Sequence, residues 1–215
     1  MSITIAFVNQ KGGCSKSTTS LHFSYWLSTI KGTKTLLVDA DAQRSSSIWL
    51  ESMEDVDIPF EVVQTPDDLL DGLPELAERC DVLVVDGPAG LTEATRAILF
   101  RTHLAIVPCQ PSGVDLRSAA DAVKLIRQAQ SVRSGPPEAA LFLSRAVKGT
   151  RLKDEALAVL EKSGVPVLNT IIHQRQIIAD SFGQRATVWD MPGKAAEDSQ
   201  KEYEHLFKEI IRRVK

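Results

Sequence analysis

Val8-Asn9-Gln10-Lys11-Gly12-Gly13-Cys14-Ser15-Lys16-Ser17-Thr18 is the stretch that sets the fold class. An apolar run over residues 3–8 leads into it, and a helical pattern opens near Lys16 and continues to about Ile30. A strand, a tight loop with a glycine pair and then Lys-Ser at a helix start is what polyphosphate binding requires. Glycine lets backbone N–H groups turn inward around an anion, and the helix N-terminus adds the positive end of its dipole. From such a loop Lys16 reaches the β- and γ-phosphates of a nucleotide, and the Ser17 hydroxyl ligates Mg²⁺. The strict pattern G-x-x-x-x-G-K-[ST] is not met, because Gln10 stands at its first glycine and Ser15 at its second. Taken alone, the stretch also suits an ordinary strand-to-helix turn with Ser15 as the helix cap.

Further β-rich runs follow at 34–39, 60–63, 82–86, 103–108, 139–144 and 166–170, with helical patterns at 42–51, 92–100, 114–130, 152–163 and 195–214. Val82-Leu83-Val84-Val85 and Leu104-Ala105-Ile106-Val107 are apolar without interruption, as strands covered by helices on both faces must be. The alternation predicts an α/β fold, a single doubly wound, mainly parallel β-sheet flanked by helices, in one domain over 1–215. Residues 131–137 are loop-like but sit within the same alternation, so they mark no boundary. In such folds ligands lie beyond the C-terminal ends of the strands, which singles out the residues after Val8, Asp39, Asp86, Pro108 and Ser144.

Aspartates stand at that edge. Asp39-Ala40-Asp41 closes the second strand, and Asp86 closes the strand after Asp81. A strand-end carboxylate there can hold the shell of a Mg²⁺ ion, and Asp86-Gly87-Pro88-Ala89-Gly90 is expected to form a mobile Gly-rich turn. Asp41 is placed to orient or deprotonate an attacking water. Each aspartate alone also suits a turn or a helix cap. Three at one sheet edge outweigh that reading.

NQKGGCSKSTT (9–19), LLVDADAQ (36–43) and DVLVVDGPAG (81–90) together resemble the ParA/MinD family of deviant Walker P-loop ATPases. In length and spacing the chain is most similar to small plasmid-type ParA partition proteins that lack an N-terminal DNA-reading domain. PCQPSGVDLRSA (108–119), LFLSR (141–145) and the segment from Asn169 to Asp190 extend the likeness over nearly the whole chain. By this resemblance Lys11 reaches across an ATP-sandwiched homodimer to the partner's phosphates, and Lys16 acts within its own chain. Ser17 ligates Mg²⁺, Asp39 and Asp86 support the metal shell, and Asp41 supports hydrolysis. Lys11, Gly12, Gly13, Cys14, Ser15, Lys16, Ser17 and Thr18 form the nucleotide-binding loop. The implied function is a partition or positioning ATPase, slow without its partner. It binds nonspecific DNA in its ATP state and is stimulated by a ParB-like or other adaptor protein. The implied location is cytoplasmic, on the nucleoid when ATP is bound, without stable membrane association. Ser15 departs from the family's usual glycine, and a Cβ there is strained if φ is positive.

Composition narrows the alternatives. A chain of 215 residues with 43% hydrophobic side chains suits one domain with a buried core. No run approaches the ~18 apolar residues of a spanning helix, and the N-terminal residues read as a first strand, not a signal peptide. Cys14, Cys80 and Cys109 form no C-x-x-C pair, which argues against disulfide or cluster frameworks, including a reductase of the nitrogenase iron-protein type. A net charge of −3 gives no global pull toward nucleic acid. Arg145, Lys148, Arg151 and Lys153 make a basic cluster after the sixth strand, read as a solvated face, a DNA-facing patch or nucleotide contact by Arg145 or Lys148. Its place at the ligand edge favours the last two. The final helix carries Lys201, Lys208, Arg212, Arg213 and Lys215 beside an apolar stripe, which suits packing on the sheet better than lying on a membrane. His22, His103, His173 and His205 read as core or surface residues, and Trp26, Trp49 and Trp189 as packing residues. A MinD-like membrane-associated ATPase and a metabolic enzyme of dethiobiotin-synthetase type remain the competing functions.

Overall fold

Six strands pair in the order β3-β2-β4-β1-β5-β6, and every pairing is parallel. They are β1 (Ile3–Asn9), β2 (Thr35–Asp39), β3 (Phe60–Val62), β4 (Val82–Ala89), β5 (Leu104–Cys109) and β6 (Glu138–Leu143). The computed structural model describes residues 2–214; Lys215, counted above with the basic residues of the last helix, lies outside them. The helices are α1 (Lys16–Tyr25), α2 (Ser45–Ser52), α3 (Pro66–Glu78), α4 (Glu93–Arg101), α5 (Gly113–Arg133), α6 (Arg151–Glu161), α7 (Gln176–Gly183) and α8 (Lys194–Arg212). A π-helical turn, Trp26–Ile30, continues α1 to the end of its predicted run.

Alternate residues of the central strands feed two cores. Ala6, Val8, Leu83 and Val85 pack under α3 to α6, while Ile5, Phe7, Val82 and Val84 pack under α1, α2 and α8. Both faces are therefore covered, which is why these strands lack a polar alternation. α8 buries Tyr203, Leu206, Phe207 and Ile210 against the sheet, so its apolar stripe is core. The chain leaves β1 toward β2 on one side and later enters β5 on the other. That reversal opens a crevice at the C-terminal end of β1, where such folds bind ligands.

Two expectations are corrected. Residues 86–90 are not a mobile turn: β4 runs on to Ala89, which pairs with Asn9 beyond a bulge at Gly87 and Pro88 of β4. Gly87 is needed there for close approach, since a Cβ would stand 2.7 Å from the Phe7 carbonyl oxygen; only Gly90, with φ of 99°, turns the chain. Residues 166–170 are not a sheet strand and make only a bridge at Val167 alongside β6. Two helices escaped the sequence pattern, α3 and α7. α3 contains Pro74, whose missing N–H orphans the Leu70 carbonyl one turn earlier. The Arg101 guanidinium donates to that oxygen at 2.6 Å, a tertiary contact that lets the helix continue.

Candidate active site

The loop between β1 and α1 is fixed from beneath. The Asn9 side chain donates to the Pro108 carbonyl at 2.7 Å and accepts from Ser118 Oγ at 2.6 Å, tying β1 to β5 and α5. Ser144 Oγ donates to the Cys14 carbonyl at 2.9 Å. Gln110 Nε2 and Arg145 Nη1 donate to the Gly13 carbonyl at 2.7 and 3.1 Å. Turning carbonyls toward these donors leaves loop amides for an anion. Gly13 has φ of 75° and Ser15 φ of 79°, so the strained alternative holds at Ser15. Ser15 caps α1 with no side-chain hydrogen bond; its carbonyl accepts from the Thr19 amide at 2.9 Å. The ordinary capped turn is thereby excluded. Lys16 is buried, and its Nζ donates to the Lys11 carbonyl at 3.2 Å. Cys14 is fully buried, and burial pushes its thiol up.

The three aspartates divide their work. Asp39 is buried with both oxygens engaged by backbone: Oδ1 accepts from the Asp41 amide at 3.1 Å and Oδ2 from the Ser47 amide at 2.8 Å. These bonds shape the β2–α2 turn and leave each oxygen a further lone pair. Asp41 accepts from the amides of Gln43 and Ala89, each at 2.9 Å, and faces the cavity over the loop. Asp86 is fully buried, and neither of its oxygens has a hydrogen-bond partner. Burial, then the Asp39 carboxylate, push it up to about 7, tempered by the approaching Ser17 and Ser46 hydroxyls and by Lys16. A buried carboxylate with both oxygens free, near the hydroxyl that opens the helix, fits a hard divalent cation such as Mg²⁺.

Gly12, Gly13, Ser15, Lys16, Ser17 and Thr18 line a cavity of about 610 Å³, with Asp41 and Arg145 on its wall. Lys11 is not part of that wall. Its Nζ pairs with Asp115 at 2.8 Å, the lysine side chain 40% exposed and the aspartate 2%. Asp115 also receives the Ser112 hydroxyl, and its amide donates back to Ser112 Oγ at 3.2 Å. In the sequence Ser112-x-x-Asp115 is a helix-start pattern, which masks the ion pair that Asp115 makes. Lys148, Arg151 and Lys153 are not in the cavity lining; of the basic cluster only Arg145 reaches the loop. The opposite wall, Ile172 to Gln176 with part of α7, was also unforeseen in its individual residues.

A phosphate-binding loop at the switch point of a parallel sheet, followed by a buried lysine, defines the class of phosphate-loop nucleotide-binding proteins. Residues 5–188 match the model of the CobQ/CobB/MinD/ParA nucleotide binding domain. The chain belongs to that family, as an ATPase of the ParA/MinD type. It is 27% identical over 212 residues to a maintenance of carboxysome distribution protein A from Halothiobacillus neapolitanus, covering 97% of this chain and 96% of that one. Among solved structures, a Cyanothece McdA variant in complex with ATP superposes with a TM-score of 0.81 at 15% identity, covering 98% and 96% of the two chains. The septum site-determining protein MinD of Pyrococcus horikoshii with Mg-ADP superposes at 0.75 and 21% identity, again over 98% and 96%.

Proposed function

We propose that this chain is an ATP-operated positioning switch that works as a dimer. Two copies close face to face on ATP, each lending Lys11 to the phosphates held by the other. The closed dimer holds nonspecific DNA on the nucleoid, and an adaptor protein, ParB-like or of another kind, triggers hydrolysis and reopening. The observation that carries this reading is the place of Lys11. It belongs to the phosphate loop, yet its side chain stands outside its own cavity, 40% exposed. A cation so placed serves a second copy better than its own.

In the reaction, water attacks the γ-phosphorus and the bond to the β-phosphate oxygen breaks, with charge spreading over the phosphate oxygens. Lys16 meets that charge from within the chain and Lys11 from the partner copy. Asp41, pinned by the Gln43 and Ala89 amides, orients the water. Ser17 and Asp86 would hold Mg²⁺, which supplies positive charge to the phosphate oxygens.

Two relatives named for carboxysome distribution each cover 97% of the chain, which favours a protein assembly over a plasmid as cargo. A membrane-associated switch is less well supported, because α8 spends its apolar face on the core. Among the described residues, no helix is long and apolar enough to cross a membrane. Gel-shift titration with duplex DNA of unrelated sequences tests the DNA step. Binding is expected with ATP only and should fall steeply with salt, as phosphate contacts require; equal binding in ADP would refute a nucleotide-gated DNA state.

A further inference from the structure

The cavity is too large for a triphosphate alone. Beyond the loop and Asp41, its wall includes the segment Ile172 to Gln176, with Trp49, part of α7 and Tyr203 beside it, and the nucleoside of a bound nucleotide has this surface to rest against. The segment is not a sheet strand. It joins β6 and its flank through a few bonds, such as the Ile172 amide to the Leu143 carbonyl at 2.9 Å and the Gln174 amide to the Ala146 carbonyl at 3.0 Å. Two of its side chains, His173 and Arg175, are fixed from α8.

One carboxylate does this. Glu202 Oε2 accepts from Arg175 Nη1 at 2.5 Å and from the His173 amide at 3.0 Å. Its Oε1 accepts from Arg175 Nη2 at 2.6 Å and lies 2.8 Å from His173 Nδ1. All three side chains are about four-fifths covered, at 19 to 21% exposure. Burial works against the charge of Glu202, and the Arg175 fork with the His173 amide and ring more than reverses this, lowering its pKa. Seven residues on, on the same face of the helix, Glu209 accepts from the amides of Asn169 at 2.8 Å and Thr170 at 2.9 Å. The stretch from Asn169 to Arg175 is thus gripped at both ends by α8. The helix itself is immobilised in the core, and Tyr203, next to Glu202, both lines the cavity and stacks on His22 of α1 at 4.8 Å.

We propose that Glu202 is a positioning residue for nucleotide recognition. By clamping His173 and Arg175 it presets the wall that holds the nucleoside of ATP, without touching the phosphates. This rests on the nucleotide-switch reading above. A bidentate Arg–carboxylate pair fixes direction as well as distance, so its loss frees the wall side chains rather than removing a ligand contact.

The test is Glu202→Gln, which keeps the shape but turns an amide NH₂ toward donors, with Glu202→Ala as the second variant. Calorimetric titration in Mg²⁺ buffer compares ATP with inorganic tripolyphosphate, which engages the loop but has no nucleoside. Both variants should bind ATP about tenfold more weakly while tripolyphosphate affinity stays within about twofold. Equal loss for both ligands would make Glu202 a merely structural residue, and no loss for either would remove the clamp; both outcomes overturn the proposal. A wild-type chain that bound tripolyphosphate and ATP equally would deny the wall any nucleoside contact and overturn it as well. Failure of the wild type to bind either ligand would instead strike the nucleotide-switch reading itself.

Discussion

Ser15 holds φ at 79° with an L side chain and gains no capping bond in return. Left-handed backbone costs a non-glycine residue roughly 1–2 kcal/mol, so Ser15→Gly should stabilise the ligand-free protein by about 1 kcal/mol. Differential scanning calorimetry reads this as a raised Tm, and a lower Tm would mean that the serine contributes something the loop geometry lacks. The sequence identified Ser15 as the doubtful position but left its φ open, because φ there depends on how Gly13 and the β1–α1 loop close. The roles of Asp39 and Asp86 were equally ambiguous from sequence, both being strand-end aspartates. Which one keeps free oxygens is decided by a through-space contact, the Ser47 amide on Asp39.

At the scale of elements, α1 is joined to the 187–190 loop through His22. Its Nδ1 lies 2.7 Å from the Thr18 carbonyl, and its Nε2 accepts from the Val188 amide at 3.3 Å, which fixes the neutral ring with its proton on Nδ1. Burial lowers its pKa from 6.5 to about 4, partly opposed by the Thr18 carbonyl and Asp190. A base whose pKa falls on folding contributes stability that is present above pH 6.5 and lost as pH drops through about 4. That contribution is on the order of 3 kcal/mol. Urea unfolding of the wild type and of His22→Asn between pH 7.5 and 4 should show their difference shrinking with acid. A constant difference would mean that the ring does not stay neutral. Most elements were legible, because uninterrupted apolar strands and amphipathic helices carry their own period. α3 was not, since the Arg101 contact that tolerates Pro74 comes from another helix. Residues 166–170 read as a strand because their apolar pattern serves the core while the sheet already ends at β6.

For the whole molecule, sheet type and family follow from the order of motifs. The cargo does not. A putative plasmid partition protein is among the similar structures, and two relatives that match end to end are named for carboxysome distribution. Cargo is read by surfaces, and those carry no periodic signal. The proposed second copy likewise has one trace in a single chain, Lys11, which is 40% exposed and tied to Asp115. The most direct test is size-exclusion chromatography with light scattering on Asp41→Ala, which should bind ATP without consuming it. The dimer switch predicts twice the chain mass in ATP, a monomer in ADP, and a monomer in ATP once Lys11→Ala is added. An ATP-bound protein that stays monomeric, or a dimer indifferent to Lys11→Ala, would contradict it.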